Sequence, residues 1–283
     1  MSFVTVLLAL FIDRIAWDGT PYRQHQWFYS YVRKFLASGI GSPIIKSGYA
    51  AAILILPIVA LVGWLQVSVL PSLGGLLEFA FASTLLLFSL GPRDLGRDVE
   101  AYLNAQMSGN LPRAEEYAEH TRHKSEQTDP SQQMADGIFQ AACWRLIGPI
   151  FWFVLFGACG AVTYRLIHLL ATKPAENTSP RLESSIKTLR SIADWAPARI
   201  TAAGFAVAGN FDAVAAAWKT FSQDGPGSEQ SEASGLLIET GRAALNHDVQ
   251  QSPSLVADSL ALVWRNLTLW VVFIGVISLV SQL

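Results

Sequence analysis

Charge is what this chain has least of: Asp, Glu, Lys and Arg together make up 15% of its 283 residues, against about 25% in an average soluble protein. So little charge does not cover a water-facing surface of this size, and a mean hydropathy of +0.33 points the same way, to a membrane protein. A net charge of -2 with a pI near 6.2 excludes the broad basic field of a nucleic-acid binder. Sulfur is scarce too. Cys143 and Cys159 are the only cysteines; each lies in or beside an apolar run, without metal-ligand spacing, and both are expected as buried thiols. The histidines His25, His120, His123, His168 and His247 are dispersed. His120 and His123, at i and i+3, are expected as a solvated pair on a helix, and no metal site is expected. A Gly-x-Ser-x-Gly nucleophile motif is missing. Gly91-Pro92-Arg93-Asp94-Leu95-Gly96-Arg97-Asp98 lacks the Lys and Ser/Thr of a phosphate-binding loop.

What the chain does have is long runs without charge. Lys46 and Arg93 bracket 46 residues in which Glu78 is the only charged side chain, with Pro71, Gly74 and Gly75 at a turn between the halves. At about 1.5 Å of rise per residue and about 30 Å of hydrocarbon, residues 48–70 and 73–90 are each of roughly spanning length. The pattern predicts a transmembrane hairpin, with Glu78 in the middle of its second span. Residues 146–164 and 266–283 are charge-free as well and predict further spans. Residues 2–12 are apolar but short unless they continue through Asp13 and Arg14 to Trp17; a secretory signal fits poorly, because no basic residue precedes the run and no small-residue cleavage site follows. Residues 200–218, alanine-rich and broken only by Asp212, predict a weak span or a re-entrant helix.

These readings give an all-α, polytopic transmembrane bundle with amphipathic helices on its cytoplasmic side. The predicted organisation is an N-terminal apolar and basic region (1–47), the hairpin (48–92) and a cytoplasmic helical region (93–145). A central span with a polar helix and a second embedded segment (146–221), a flexible loop and helix (222–265) and a terminal span (266–283) complete it. Leu95, Val99, Tyr102 and Gln106/Met107 follow helical spacing, as do Leu182, Ile186, Leu189 and Ala193. Lys and Arg flank the hairpin on both sides while its turn has none, so both flanks are expected in the cytoplasm of a bacterial inner-membrane protein and the turn outside.

Ionisable residues at the ends of apolar segments are the candidate site, because charge at membrane depth is costly and faces a cavity or a partner. Asp13 and Asp18 end the first run, Tyr164 and Arg165 end the central span, and Asp194-Trp195-Ala196-Pro197-Ala198-Arg199 precedes the alanine-rich segment. Pro197 is suited to open a helix with Arg199 in its first turn. Together these groups are expected to converge on one pocket for a small anionic ligand, Arg supplying a planar donor fork and Asp194 pairing with Arg199. The competing reading is snorkelling side chains and a structural Asp-Arg pair.

At these same residues the chain resembles AmpE, a bacterial inner-membrane family associated with regulation of β-lactamase induction. The resemblance covers most of the length and is most specific at Gly148-Pro149-Ile150-Phe151-Trp152, Gly157-x-x-Gly160 and Asp194-Trp195-x-Pro197-x-Arg199. The same order is similar to that of the CobD/CbiB family, membrane proteins of cobalamin biosynthesis that join an aminopropanol phosphate to a cobyric acid side chain. There Asp13-Arg14-Ile15-Ala16-Trp17-Asp18 matches a pair of aspartates, Arg93 an Arg after the hairpin, and Gly160-Ala161-Val162-Thr163-Tyr164-Arg165 a Gly-Ala-x-x-Tyr-Arg segment. Where the cobalamin enzymes carry Glu-Asn-Thr-x-Asp-Gly, this chain has Gln133-Met134-Ala135-Asp136-Gly137; where they carry Asn-Thr-Leu-Asp, it has Ile167-His168-Leu169-Leu170. Those lost carboxylates and amides would hold a metal or a nucleotide phosphate.

The resemblance therefore implies first an AmpE-like signalling modulator, non-catalytic or binding a small anion. Its partners would be the lipid bilayer and components of cell-wall recycling or β-lactamase regulation. The alternative is a CobD/CbiB-like, nucleotide-dependent amide-forming enzyme. Transport of a small anion among Arg93, Arg165 and Arg199 ranks third, since no internal repeat is visible.

Overall fold

A computed structural model describes residues 2–15, 25–38, 49–91, 94–119, 121, 129–172, 179–224, 232–245 and 254–280. Every regular element among them is a helix, and the chain is a polytopic helical membrane protein. It forms two compact units: Met1–Pro92 with Gly148–Asp194, and Arg93–Ile147 with Trp195–Leu283.

The first unit begins with α1 (Ser2–Ile15) and α2 (Gln26–Ala37), followed by α3 (Ala50–Trp64), which runs through a π-helical turn at Leu65–Val69 into the short α4 (Leu70–Leu73). Residues 50–72 thus form one apolar stretch of 23 residues, long enough to cross a bilayer. Gly74, at φ 99°, makes the sharp reversal at a backbone angle that a side chain disfavours. The return helix α5 (Gly75–Ser89) has 15 residues; at 1.5 Å each it is about 22 Å long, short of the hydrocarbon thickness. Glu78 is not in mid-span as expected. It lies in the first turn of α5 and is exposed, where the partial positive charge of a helix N-terminus favours a carboxylate.

Helix α9 (Gly148–Thr172) packs on α3 and α5 at the centre of this unit, and α1 packs on α5. Phe28, Leu54, Leu166 and Leu170 lie in one apolar core with Leu182, Ile186 and Ala193, the last three being the stripe that the helical spacing picked out. At Gly157 the backbone turns to φ 66°, ψ -153°, a kink inside the expected span over 146–164, which lies within the apolar stretch Pro130–Thr172. The other glycine of the Gly-x-x-Gly pair lets the break close up, since a Cβ on Gly160 would lie 2.2 Å from the Trp152 carbonyl oxygen.

In the second unit, α6 (Leu95–Met107) starts at Asp94, whose side chain caps the Arg97 N–H at 2.7 Å. It packs on α7 (Leu111–Ala118). Helix α8 (Pro130–Ala141), capped by Asp129, continues through a π-helical turn at Ala142–Ile147. Helix α11 (Phe211–Asp224) packs on α12 (Glu232–Ala244), and α8 packs against α12 and α13 (Leu255–Val280). Val99, Met134, Phe139, Phe205, Leu237 and Val263 make the core of this unit. Phe139 meets Phe205 edge to face at 5.5 Å and lies over Gly241, where a Cβ would fall 2.5 Å from its ring.

Helix α10 (Pro180–Ala208) corrects two expectations. Pro197 lies inside it and does not open a helix. Residues 200–218 do not form one helix either: α10 ends at Ala208, the Asn210 side chain accepts from the Ala213 N–H, and α11 begins at Phe211. The terminal helix starts well before residue 266, at Leu255; within it the Ser259 hydroxyl donates to the Leu255 carbonyl and the Asn266 amide nitrogen to the Thr201 carbonyl. Among the described residues three stretches are long and apolar enough to cross a membrane: Ala50–Ser72, Pro130–Thr172 and Leu255–Val280.

Candidate functional site

The first unit gathers its buried polar groups where α9 and α10 meet. On α9, Tyr164 and His168 are one helical turn apart and therefore share a face. The Tyr164 ring passes directly over Gly148, where any Cβ would lie 2.4 Å from it, and its hydroxyl donates to Asp194 Oδ1 at 2.7 Å. His168 Nε2 meets the same oxygen at 2.8 Å; an ionised carboxylate only accepts, so His168 carries its proton on Nε2 and leaves Nδ1 as the acceptor. The second oxygen, Oδ2, takes the Arg190 Nε at 3.3 Å. Asp194 is 2% exposed. Burial by itself would raise its pKa, but His168, Arg190 and the Tyr164 hydroxyl outweigh that and hold the carboxyl below its ordinary value.

Arg165, next in sequence to Tyr164, is buried, and its charge acts on both His168 and Tyr29. The Trp152 indole N–H donates to the Ala193 carbonyl at 3.1 Å. That carbonyl would otherwise accept from residue 197 along the helix, and Pro197 has no N–H to give. Replacing Trp152 with Phe keeps the ring and leaves the carbonyl unmet, so the purified protein should unfold at about 1 kcal/mol less, read by denaturant titration in detergent.

The structure joins some of the expected residues and separates others. Tyr164 and Asp194 come together with Arg165 in the same unit. Asp13 is buried on α1 of that unit. Asp18 and Arg93, like His120 and His123, lie outside the described residues. Arg199 belongs to the second unit: its guanidinium lies 4.1 Å from the centre of the Trp195 ring, pairs with Glu232 and donates to the Trp195 carbonyl. The expected Asp194–Arg199 pair is therefore replaced by Asp194–Arg190. The reason is helical geometry, since on an unbroken helix residues five apart point about 140° away from each other and residues four apart about 40°. Trp195 is half exposed, on the side of α10 away from Asp194.

His168 and Arg190 were missed as site residues, although both carried a signal. Each stands four residues from a residue already singled out, on a segment with helical periodicity. Asp136, the residue that matches the Asp of the cobalamin enzymes' Asp-Gly, lies in the second unit, 1% exposed. Arg242 grips it through two bonds, Nε to Oδ1 at 2.8 Å and Nη2 to Oδ2 at 2.5 Å. That pairing holds the Arg242 guanidinium above its usual range. A second buried pair, Asp98 with Arg145 at 3.1 Å, adds a bond from Arg145 to Thr121. Neither cysteine forms a disulfide. Among the described residues no three His, Cys, Asp or Glu side chains cluster as metal ligands.

Comparison with known proteins gives this helical arrangement a family. The chain is 25% identical over 299 residues to the cobalamin biosynthesis protein CobD of Stutzerimonas stutzeri strain A1501, with 95% of each chain covered. No solved structure matches. The AmpE resemblance finds no counterpart in these comparisons. A family model described as CobD/Cbib protein matches residues 6–251, and the chain thus belongs to the CobD/CbiB family.

Proposed function

We propose that this protein acts in cobalamin biosynthesis as a membrane-embedded protein of the CobD/CbiB kind, joining an amine to a carboxylate of a corrinoid precursor. The match over nearly the whole chain supports the pathway. The observation that carries the chemistry is the His168–Asp194 pair. Amide formation requires the attacking ammonium to lose a proton, and the His168 imidazole, whose ring Asp194 fixes, would serve as the general base. Arg165 and Arg190 would hold the anionic part of the amine substrate. Activation of the carboxylate by a nucleotide is not assigned to any described residue. Asp136 is already gripped by Arg242, Asp13 is buried on α1 and Asp18 lies outside the described residues, so no step is routed through a metal-bound phosphate.

A second reading, the AmpE-like modulator of β-lactamase induction, is favoured by one observation. The carboxylate at the matched Asp-Gly position is closed off by a bidentate arginine, as befits a member of the fold that has given up catalysis. In either reading we place the protein in the bacterial inner membrane, with the basic flanks of the hairpin in the cytoplasm.

Expression in a strain that lacks its own cobinamide-forming enzyme separates the two. On the first reading the protein restores cobalamin-dependent growth, and His168→Ala abolishes the rescue at an unchanged membrane level. Failure of the wild-type protein to rescue, together with altered β-lactamase induction on deletion in its own host, would establish the second reading in its place.

A further inference from the structure

In the first unit a cavity of about 690 Å³ opens beside the break at Gly157, walled by Gln66, Trp152, Phe156, Tyr164, Leu189 and Ile192. Its polar lining is already engaged within the protein. Gln66 reaches across from the π-helical turn, donating to the Phe156 carbonyl at 3.1 Å and accepting from the Cys159 N–H at 2.9 Å. Backbone groups freed by the break are thereby satisfied, as irregular backbone at membrane depth requires. Thr163 donates to the Cys159 carbonyl at 2.7 Å and Tyr164 to Asp194. The walls are otherwise apolar. Trp152 and Phe156 stack at 5.7 Å, and the rim carries exposed Val67, Leu155 and Ile192.

A cavity with mostly apolar walls, whose Gln66, Thr163 and Tyr164 side chains already bond within the protein, selects an apolar occupant. It also lies between two stretches long and apolar enough to cross the bilayer, Ala50–Ser72 and Pro130–Thr172. We infer that it is a binding site for one hydrocarbon chain of a membrane lipid, which seals the Gln66-bridged break in α9 from water. The site shares Tyr164 with the Asp194 cluster, but its occupant needs none of the chemistry proposed above. The chain contributes van der Waals packing against the apolar walls, since lipid tails are as apolar as the side chains they meet, and the absence of a side chain at Gly63 leaves room for it. A Cβ at Gly63 would meet only the Cys159 Sγ, at an ordinary 3.5 Å, so a larger side chain there would extend into the cavity.

The test is photolabelling of the full-length protein in phosphatidylethanolamine–phosphatidylglycerol vesicles doped with a phospholipid bearing a diazirine near the end of one acyl chain. Adducts are mapped by peptide mass spectrometry. The expected result is labelling of residues 152–167 that saturates as the mole fraction of label rises. Labelling of the exposed face of α13, at Val272, Phe273 and Val276, should rise in proportion. Gly63→Leu should cut the first at least fivefold and leave the second unchanged. Proportional labelling of both segments in the unaltered protein would overturn the inference, whether or not the variant folds. So would the absence of any adduct over residues 152–167 while α13 is still labelled, which would show that this face is covered by something other than lipid.

Discussion

Replacing Asp194 with Ala is expected to cost on the order of 3–5 kcal/mol of stability, the largest loss from any single substitution in the first unit. The carboxylate accepts from the Tyr164 hydroxyl at 2.7 Å and meets His168 Nε2 at 2.8 Å, and each buried donor left unmet costs about 1–3 kcal/mol. Arg190 contributes less, because its side chain is 29% exposed and turns to water when the carboxylate goes. The check is the unfolding midpoint in mixed detergent micelles. Asp194→Asn should lose less, since its amide oxygen still accepts one bond. The same residue sets a pH dependence. Its pKa is lowered on folding, so between the folded and unfolded values the unfolded chain binds more protons and stability falls as pH falls. The contribution is complete above the unfolded value, near 3.8, and disappears as pH drops through the folded one. A stability profile taken below about pH 4 should therefore be steeper for the wild type than for Asp194→Asn; equal slopes would show that Asp194 is not held ionised.

Arg242→Ala should destabilise the second unit by about 3 kcal/mol. Removing one partner of a buried ion pair typically costs about 3–5 kcal/mol, and the lower end applies because Arg242 is itself 31% exposed. What remains is a carboxylate at 1% exposure without its bidentate partner, and it must either take up a proton or draw in water. If this is the mechanism, adding Asp136→Asn to Arg242→Ala recovers part of the loss, because the orphaned charge is gone. A double variant as unstable as the sum of the two single variants would mean that the residues act separately. The pair also bears on function. An arginine that closes over the matched Asp-Gly position keeps that carboxylate from a substrate or cation, so Arg242→Ala should leave β-lactamase induction unchanged under the modulator reading provided the membrane level is matched.

The family assignment reverses the order that the sequence motifs suggested. The departures at Gln133–Gly137 and at Ile167–Leu170 argued against the cobalamin family, yet the match runs across both. In this chain the two places are occupied by groups with other jobs. Asp136 serves an ion pair, and His168 adds a ring nitrogen to the Asp194 cluster where the cobalamin enzymes have an amide and a carboxylate.

Membrane character and helix positions were fixed by local properties of the chain. A run over 47–92 with Glu78 as its only charged side chain declares itself by composition, because each ionised group in hydrocarbon is expensive. The stripes at Leu95, Val99 and Tyr102 and at Leu182, Ile186 and Ala193 declare themselves by a period that the helix imposes on burial. Tyr164 and Asp194 were legible for the same local reason, as polar groups at the ends of apolar segments. Their partners could be read only in part. Arg190 follows from Asp194 once α10 is known to be unbroken, but Pro197 suggested a break there, and it took the Trp152 side chain to satisfy the carbonyl that Pro197 leaves without a partner. The pairing of Arg242 with Asp136, 106 residues apart, the bridge from Gln66 across Gly157, and the departure of Arg199 to Glu232 belong to the tertiary structure alone. Each depends on which helices lie side by side, and no spacing along the chain encodes the match between a donor on one helix and an acceptor on another.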